Sequence, residues 1–331
     1  MALLWWACLR SQQRPRLEST FRPGKERGDV MLTQTRQPNH GRNRTSPDWE
    51  NCRFLTCSVL PVRMACNLSC PFCFSKSSVS SLNSEQSNWD EMNLERYFEF
   101  SQNRGANRLV ITGGGEPLLR IRDVISIVRR GSKYFDEIAL FNNGTYLTSE
   151  LSRELQDVGL SYLCYSRHHF DDHRCRQLMG NAAPSLEAFV ESAGELPIRA
   201  TCVMACGWID TCELVDTYLS VLSAYGIREF TFKHTYVAYE KSLFADSPAN
   251  KWSRQHALNE DPFSERGTIV GQLPWGPFIR QLNSLQVCYY FEPSPIWELE
   301  NQQCRSVNLL SDGSVYASLE DQQSMLFHLN T

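Results

Sequence analysis

The feature that most constrains this chain is a regular alternation of two kinds of segment between residue 53 and about residue 235. Short runs of β-branched and other apolar residues, typical of buried strands, alternate with longer segments that carry one apolar stripe at helical spacing. The predicted strands cover residues 53–62, 108–112, 137–141, 161–166, 198–204 and 229–234. Strands that alternate with helices predict a parallel α/β sheet, open or curled into a partial barrel, with ligands at the carboxyl ends of its strands.

Four of the predicted helices end at a glycine. Their apolar stripes stop at Gly105, Gly131, Gly159 and Gly226. A helix ends at little energetic cost where a glycine takes the left-handed conformation, so we expect that conformation at these positions.

Both ends of the chain break the alternation. Residues 1–50 are rich in Arg, Gln, Pro and Asn without any helical or strand period, so we predict a disordered extension. Residues 51–235 form the predicted core domain. Residues 236–331, which are interrupted by Pro, Trp and Ser, form a predicted C-terminal cap.

Composition disfavours several classes of protein. The 13 cysteines of the 331 residues are odd in number and irregular in spacing, which favours a reducing cytoplasm over a disulfide scaffold. No run approaches the twenty apolar residues that a membrane helix needs. Residues 1–50 hold nine Lys+Arg against five Asp+Glu, and the rest holds 24 against 32. This acidic body disfavours nucleic acid as a partner.

Three cysteines follow the first predicted strand in the sequence "RMACNLSCPFCF". Cys66, Cys70 and Cys73 supply three thiolates, one fewer than closed zinc or iron-sulfur sites use. The spacing favours a metal centre with one open position at the carboxyl end of this strand. Cysteines that only pack, or a zinc site with a fourth ligand nearby, are the alternatives.

A second motif, "VITGGGEPLL", follows the second predicted strand. Its glycines permit close approach of the backbone to a ligand, and the Glu116 carboxylate can accept hydrogen bonds from a ligand ammonium. A tight turn is the alternative for a glycine run of this kind. Its place at the end of the strand beside the cysteine loop favours a ligand site.

Together the two motifs resemble the radical S-adenosylmethionine (radical SAM) superfamily over about residues 53–235. The resemblance implies a partial (β/α)6 barrel and one [4Fe-4S] cluster on Cys66, Cys70 and Cys73. In that family the fourth iron chelates the amino and carboxylate groups of S-adenosylmethionine, which explains why only three thiolates are present.

The resemblance also implies a set of cofactor neighbours. Phe72 would lie against the adenine, and "LFNNGTYL" and "YLCYSRHHF" resemble the ends of the family's third and fourth strands. The implied cofactor-binding residues are Phe72, Gly114, Gly115, Glu116, Asn143 and Ser166. The alternatives are a core phenylalanine at Phe72 and a simple Asn-Gly turn at Asn143 and Gly144.

Two further residues are candidates for the site. Relatives often carry an arginine before a glycine after the fourth strand, but here Met179 precedes Gly180, so we assign the cofactor's carboxylate to Arg199 on the fifth strand. Lys233, at the end of the sixth strand, is the candidate catalytic residue; a surface ion pair is its alternative. The histidines of "SRHHFDDH" are expected to be solvated loop residues rather than metal ligands.

The C-terminal sequence "CRSVNLLSDGSVYASLED" resembles the hairpin of the SPASM/twitch extension found in part of the family. Asp312 and Gly313 between alternating residues predict a β-hairpin. Ser318 stands where that extension has its second cysteine, so we expect no auxiliary cluster. A metal site on Cys288 and Cys304 is the less favoured alternative.

These features predict a radical SAM enzyme that cleaves S-adenosylmethionine reductively to a 5′-deoxyadenosyl radical and abstracts hydrogen from a small molecule of cofactor or specialised metabolism. Maturation of a peptide or protein is the alternative, and a noncatalytic iron-sulfur or zinc module is a third. A flavodoxin or ferredoxin is the expected electron donor.

Overall fold

A computed structural model describes residues 48–82, 85–238, 242–258 and 261–329. The predicted disorder of residues 1–47 therefore lies outside the described residues. From Trp49 onward the described residues belong to one compact unit. Trp49, which falls within the predicted disordered extension, is buried in the main hydrophobic core, so the prediction of disorder is wrong at this residue.

The alternation of strands and helices is confirmed. The first six strands are β1 (Arg53–Val59), β2 (Leu109–Ile111), β3 (Ile138–Asn142), β4 (Tyr162–Ser166), β5 (Ile198–Val203) and β6 (Glu229–Lys233). The connecting helices are α1 (Leu94–Asn103), α2 (Ile121–Gly131), α3 (Ser149–Asp157), α4 (Asp172–Met179), α5 (Leu186–Ala193) and α6 (Cys212–Ala224). Each strand pairs in parallel with the next, which is the predicted partial barrel.

The helix ends show one departure from the glycine rule. Gly105 and Gly159 have φ angles of 103° and 111° and end their helices as predicted. Gly131 instead is the last residue of α2, and the cap is Ser132. A Cβ on Gly131 would overlap the Leu109 side chain of β2, so close packing of helix on sheet explains this glycine.

The C-terminal segment extends the same sheet at both edges. It contains α7 (Pro248–Gln255), β7 (Thr268–Gln272), β8 (Phe278–Leu282), β9 (Leu285–Tyr290), α8 (Pro295–Asn301), β10 (Gln303–Leu309), β11 (Ser314–Tyr316) and β12 (Met325–His328). The strand order is β12-β11-β10-β1-β2-β3-β4-β5-β6-β9-β8-β7. The predicted hairpin is present as β10 and β11.

This topology differs from the separate C-terminal cap that the sequence pattern predicts for residues 236–331. Strand β9 pairs in parallel with β6, and β10 pairs in parallel with β1, so the C-terminal segment widens the barrel wall itself. The boundary at residue 235 is a change in sequence pattern, and the sheet continues across it. No helix among the described residues has the length and apolarity needed to cross a bilayer.

Candidate cofactor and active site

The cysteine loop leaves the carboxyl end of β1, as predicted. Cys66 is exposed, whereas Cys70 and Cys73 are partly buried. The backbone N–H of Cys73 donates to the Cys70 carbonyl at 3.3 Å, and the Cys66 sulfur accepts from Leu68 N–H at 3.4 Å. These bonds fold the three thiols into one compact loop.

The electrostatics of the loop suit a metal. Burial raises the pKa of the Cys70 thiol, and the neighbouring Cys73 and Cys66 thiols raise it further. Burial also raises the pKa of Cys66. Three thiols this close repel one another as thiolates, and bound iron would supply the compensating positive charge. Among the described residues no group of three His, Cys, Asp or Glu side chains has the arrangement of a metal site.

The Gly-Gly-Glu motif packs directly on the cysteine loop. A Cβ on Gly114 would overlap the Val62 carbonyl, and one on Gly115 would overlap the Ala65 carbonyl. The N–H of Glu116 donates to that same Ala65 oxygen at 2.9 Å. The close approach that these glycines permit in the described structure is therefore to the cysteine loop, which fixes the two motifs against each other.

The Glu116 carboxylate connects the ends of two strands. Its Oε1 accepts from Leu118 N–H at 3.1 Å and its Oε2 accepts from Asn143 N–H at 2.9 Å. Even with these two bonds, burial raises the pKa of Glu116 to about 7. A carboxylate has about four acceptor positions, so Glu116 retains capacity for a ligand donor that would stabilise its charged form.

Asn143 ties the end of β3 to the cysteine loop. Its Nδ2 donates to Asn67 Oδ1 at 2.9 Å and lies 3.8 Å from the Cys66 sulfur. Gly144, beside it, has a φ of 84° and leaves no room for a side chain against the Phe189 ring. The cysteine loop, Glu116 and Asn143 thus form one hydrogen-bonded assembly.

Phe72 lies in an aromatic cluster. Its ring meets His168 edge-on at 4.7 Å and the Trp252 ring of α7 at 5.5 Å, and Trp252 stacks on His256 at 3.9 Å. The cluster forms an apolar wall beside Cys73. No sequence signal marked Trp252, because α7 has no counterpart in the βα alternation.

The histidines after β4 are structural, and the expectation that they are solvated is wrong for two of them. His168 and His169 are buried, and their Nδ1 atoms accept backbone N–H groups from Val203 and Asp171, both at 3.0 Å. Burial lowers the pKa of His168 to about 3, so its ring is neutral. His173 is exposed.

The structure brings Ser166 to the rim of the barrel but does not bring Arg199 there. Ser166 is the last residue of β4. Arg199 is the second residue of β5, near the opposite end of the strands, and pairs with Glu229 at 2.6 Å and with the Tyr162 hydroxyl at 3.0 Å. This position corrects the assignment of Arg199 to the cofactor's carboxylate. The Arg199 guanidinium is paired with Glu229 near the amino ends of the strands, away from the rim where the cofactor would bind.

Lys233 lies at the carboxyl end of β6 among charged neighbours from the C-terminal segment. Its Nζ is 3.5 Å from Glu292 Oε1 and 5.0 Å from the centre of the Tyr290 ring. Glu292 also accepts from the Tyr290 hydroxyl at 2.7 Å and forms an ion pair with Arg305 of β10. Burial and the Arg305 charge lower the pKa of Lys233 to about 8.

Sequence reasoning missed Glu292 and Arg305. An acidic residue directly after the apolar run "VCYYF" was an available signal for a strand end. Arg305 gave none, since its partner Glu292 follows β9, which lies seven positions from β10 in the sheet order.

The cysteines of the C-terminal segment lie on separate strands. Cys288 is buried on β9, and Cys304 is buried on β10 beside Cys52. Ser318 is buried as well, and its Oγ accepts the Glu320 N–H at 3.4 Å.

Comparisons with known proteins agree with the geometry. Residues 61–205 match the family model described as the radical SAM superfamily. A probable GTP 3′,8-cyclase of Thermoplasma volcanium is 31% identical over 138 residues, which cover 41% of this chain and 40% of that protein. The GTP 3′,8-cyclase of Aquifex aeolicus is 30% identical over 41% of this chain and 40% of its own. The match thus spans about two-fifths of these relatives.

Solved structures share the fold. The crystal structure of Streptococcus suis SuiB bound to S-adenosylmethionine has a TM-score of 0.53 and 16% identity, covering 85% of this chain and 64% of that one. Native anSMEcpe with bound AdoMet has a TM-score of 0.50 and 14% identity, covering 83% and 78%. With its three-cysteine loop, its Gly-Gly-Glu motif and this barrel, the chain carries a radical SAM domain over residues 61–205.

Proposed function

We propose that this chain is a radical SAM enzyme that abstracts hydrogen from a small molecule held inside the barrel. The observation that carries the proposal is the hydrogen-bonded assembly of the cysteine loop, Glu116 and Asn143 at the carboxyl ends of β1, β2 and β3. Cys66, Cys70 and Cys73 would hold the [4Fe-4S] cluster. When bound, cluster and S-adenosylmethionine would supply reductive carbon–sulfur cleavage and the abstracting radical.

The protein's own residues would bind and orient the cofactor. Glu116 would accept a hydrogen bond from the methionyl amino group with its remaining acceptor capacity, and Asn143 would hold Glu116 in place. Gly114 and Gly115 would keep this loop against the cysteines. Ser166 would contact the cofactor from the rim of β4, and the cluster of Phe72, His168 and Trp252 would offer an apolar surface to the adenine.

The substrate side would be formed by the polar residues at the ends of β6 and β9. Lys233 is the proposed catalytic residue, because a lysine with a pKa of about 8 can hold or release a proton at Nζ near neutral pH. Glu292 and Arg305 would position it. Cys66 is exposed, which leaves the loop accessible to the expected flavodoxin or ferredoxin donor.

GTP, which the names of the curated relatives give as substrate, is not our proposed substrate. The charged groups near Lys233 include the carboxylates of Glu292 and Glu320. Buried carboxylates disfavour a triphosphate at this position, so we propose a different small molecule as substrate.

Maturation of a peptide is the second candidate. Strand β7 lies at the edge of the sheet, and Ile269 on it is 51% exposed. An exposed edge strand can pair with an extended peptide. A peptide substrate would therefore depend on β7, and a small molecule would not.

The test is anaerobic reconstitution with cluster, reductant and candidate substrates in deuterated form. We expect 5′-deoxyadenosine to form and to carry deuterium from the true substrate. Reconstituted protein that binds iron but never yields 5′-deoxyadenosine would favour the noncatalytic module instead. Loss of turnover after Ile269→Asp, with small molecules inactive, would favour the peptide.

A further inference from the structure

A cavity of about 200 Å³ lies between the chain that follows β6 and the chain that follows β9. His234, Thr235 and Tyr236 line one side, Phe291 and Glu292 line the other, and Glu320 reaches it from the C-terminal segment. Its volume suits an arm of a few non-hydrogen atoms and is smaller than a typical site for a whole drug-sized ligand.

The cavity lies beside the cysteine loop. The Tyr236 ring meets the Phe74 ring edge-on at 4.8 Å, and Phe74 is the residue next to Cys73. The Arg305 guanidinium lies 5.6 Å from the centre of the same Phe74 ring. A group in this cavity would therefore belong to a substrate whose remainder extends toward the cluster loop.

Glu292 and Glu320, which line the cavity, both carry carboxyl groups. Glu292, Glu298 and Glu320 are buried or nearly so, whereas Lys233 and Arg305 are the cations that face them, and Glu292 pairs with both. Glu298 accepts the backbone N–H of Arg305 at 2.9 Å. Glu320 is 5% exposed, and burial raises its pKa to about 7 although Arg305 acts in the opposite direction.

The ring of His234, which also lines the cavity, contacts two backbone carbonyls. Its Nδ1 lies 2.8 Å from the Thr235 carbonyl and its Nε2 lies 3.1 Å from the Leu258 carbonyl. Both ring nitrogens are thus directed at the backbone. A buried carboxylate that lines a cavity is stabilised further by a cation that binds there.

A second observation points to a ligand. Thr235 lines the cavity, is fully buried, and its Oγ1 has no hydrogen-bond partner among the described residues. A buried hydroxyl of this kind costs free energy until a partner arrives. The rings of Tyr236 and Phe291 add surfaces that favour a cation over an anion.

We propose that this cavity binds a primary ammonium group of the substrate, with Glu320 as its counter-charge and Thr235 Oγ1 as a hydrogen-bond acceptor. The proposal deepens the proposed function, on which it rests, by assigning an amine to the substrate.

The test uses the full chain, loaded with cluster and S-adenosylmethionine but without reductant. Binding of n-butylammonium, 1-butanol and butyrate is measured by ligand-observed NMR. We expect n-butylammonium to bind at least about tenfold more tightly than the other two. Glu320→Gln should weaken it about 10- to 100-fold, the range for a charge-assisted hydrogen bond.

Two further variants make the test decisive. Val237→Phe, at a position in the cavity wall that is 37% exposed, should block the cavity without removing a buried polar group. Glu300→Gln, on the exposed face of α8, is the matched control and should bind like the wild type. If Glu320→Gln fails to fold, Val237→Phe decides.

Equal binding of butanol, preference for butyrate, or wild-type binding in both cavity variants would overturn the proposal. The formation of 5′-deoxyadenosine with reductant is measured separately on the same preparations. Its absence would count against the proposed function, whereas the ammonium site is decided by binding alone.

Discussion

At the scale of single residues, the candidate site depends on side chains that serve the fold as well as the cofactor. Glu116 is the clearest case, because its carboxylate bonds Leu118 and Asn143 while retaining acceptor capacity. His168 supports the Val203 backbone and packs on Phe72. Substitutions here should therefore change both stability and binding.

The first prediction concerns the cluster ligands. Changing Cys66, Cys70 and Cys73 together to Ala should abolish the visible absorbance of reconstituted protein and remove its roughly four irons, because the loop supplies the thiolates. Cys206 and Cys212 are exposed, and their double change to Ala is the control. Unchanged iron in the triple variant would contradict the assignment.

The second prediction concerns Glu116. Glu116→Gln keeps the shape and removes the charge, so affinity for S-adenosylmethionine should fall about 10- to 100-fold, with iron content unchanged. Equilibrium binding to anaerobic, cluster-loaded protein measures both. The exposed Glu154→Gln of α3 is the control. If Glu116→Gln binds S-adenosylmethionine with wild-type affinity, the Gly-Gly-Glu motif forms only a tight turn and does not bind the cofactor.

The third prediction concerns acid stability. His168 has a pKa of about 3 when folded against 6.5 as its ordinary value, so the unfolded chain takes up the proton first as pH falls below about 6.5. Between pH 7 and pH 5 this one group should lower the free energy of unfolding by about 2 kcal/mol. The loss grows further toward pH 3.

Urea denaturation at both pH values measures the effect. His168→Asn keeps an acceptor for Val203 N–H and should remove this part of the loss, while His173→Asn should not. Carboxyls with raised pKa values are common to all three proteins and cancel in the comparison. Identical losses in wild type and His168→Asn would show that His168 is protonated in the folded state.

At the scale of elements, the alternation of strands and helices could be predicted from the sequence. The pairing of the C-terminal strands with the barrel wall could not. Strands β1 to β6 fall within or one residue beyond their predicted ranges, because each is a short apolar run between polar turns. Strands β9 and β10 carry no signal for their neighbours, since pairing with β6 and β1 is a long-range choice.

The same lack of long-range information in the sequence limits the prediction of the candidate site. Cys66, Cys70, Cys73 and Glu116 could be predicted because they lie in local motifs at strand ends. The position of Arg199 could not be predicted, because it depends on where along β5 the residue lies. A residue near the start of a strand lies at the amino end of the sheet, and one near its end lies at the rim. Trp252, Arg305 and Glu320 come to the site through tertiary packing.

The fourth prediction concerns the ion pair between β9 and β10. Arg305→Met keeps much of the packing and leaves Glu292 with less counter-charge, so the free energy of unfolding should fall by about 1–3 kcal/mol, less than for a fully buried pair. Arg153→Met, whose pair with Glu150 is exposed, should change it by less than about 0.5 kcal/mol. Chemical denaturation compares the two, and equal effects would contradict a special role for Arg305.

At the scale of the whole molecule, Trp49 is the first residue of the larger compact unit and packs in its core. Trp49 is 3% exposed within the main core, whereas the composition of the preceding residues gives no period with which to join it. The sequence therefore predicts that this preceding segment is dispensable.

The fifth prediction follows. A chain that starts at Pro47 should keep its cluster and its cleavage of S-adenosylmethionine. A chain that starts at Arg53 loses Trp49 and should be less stable by about 3–5 kcal/mol, the usual range for removal of a buried tryptophan. Thermal unfolding and iron content distinguish the two. Loss of the cluster in the longer chain, with intact expression, would contradict the prediction.

The pairing of β1 with β10 has a consequence for biosynthesis. Thr56 Oγ1 donates to the Arg305 carbonyl across 249 residues of chain, so one side of β1 stays unpaired until β10 has been synthesised. At roughly 5–20 residues per second that interval is about 12–50 s. We therefore expect the cysteine loop, which follows β1, to reach its final position only after β10 has been synthesised.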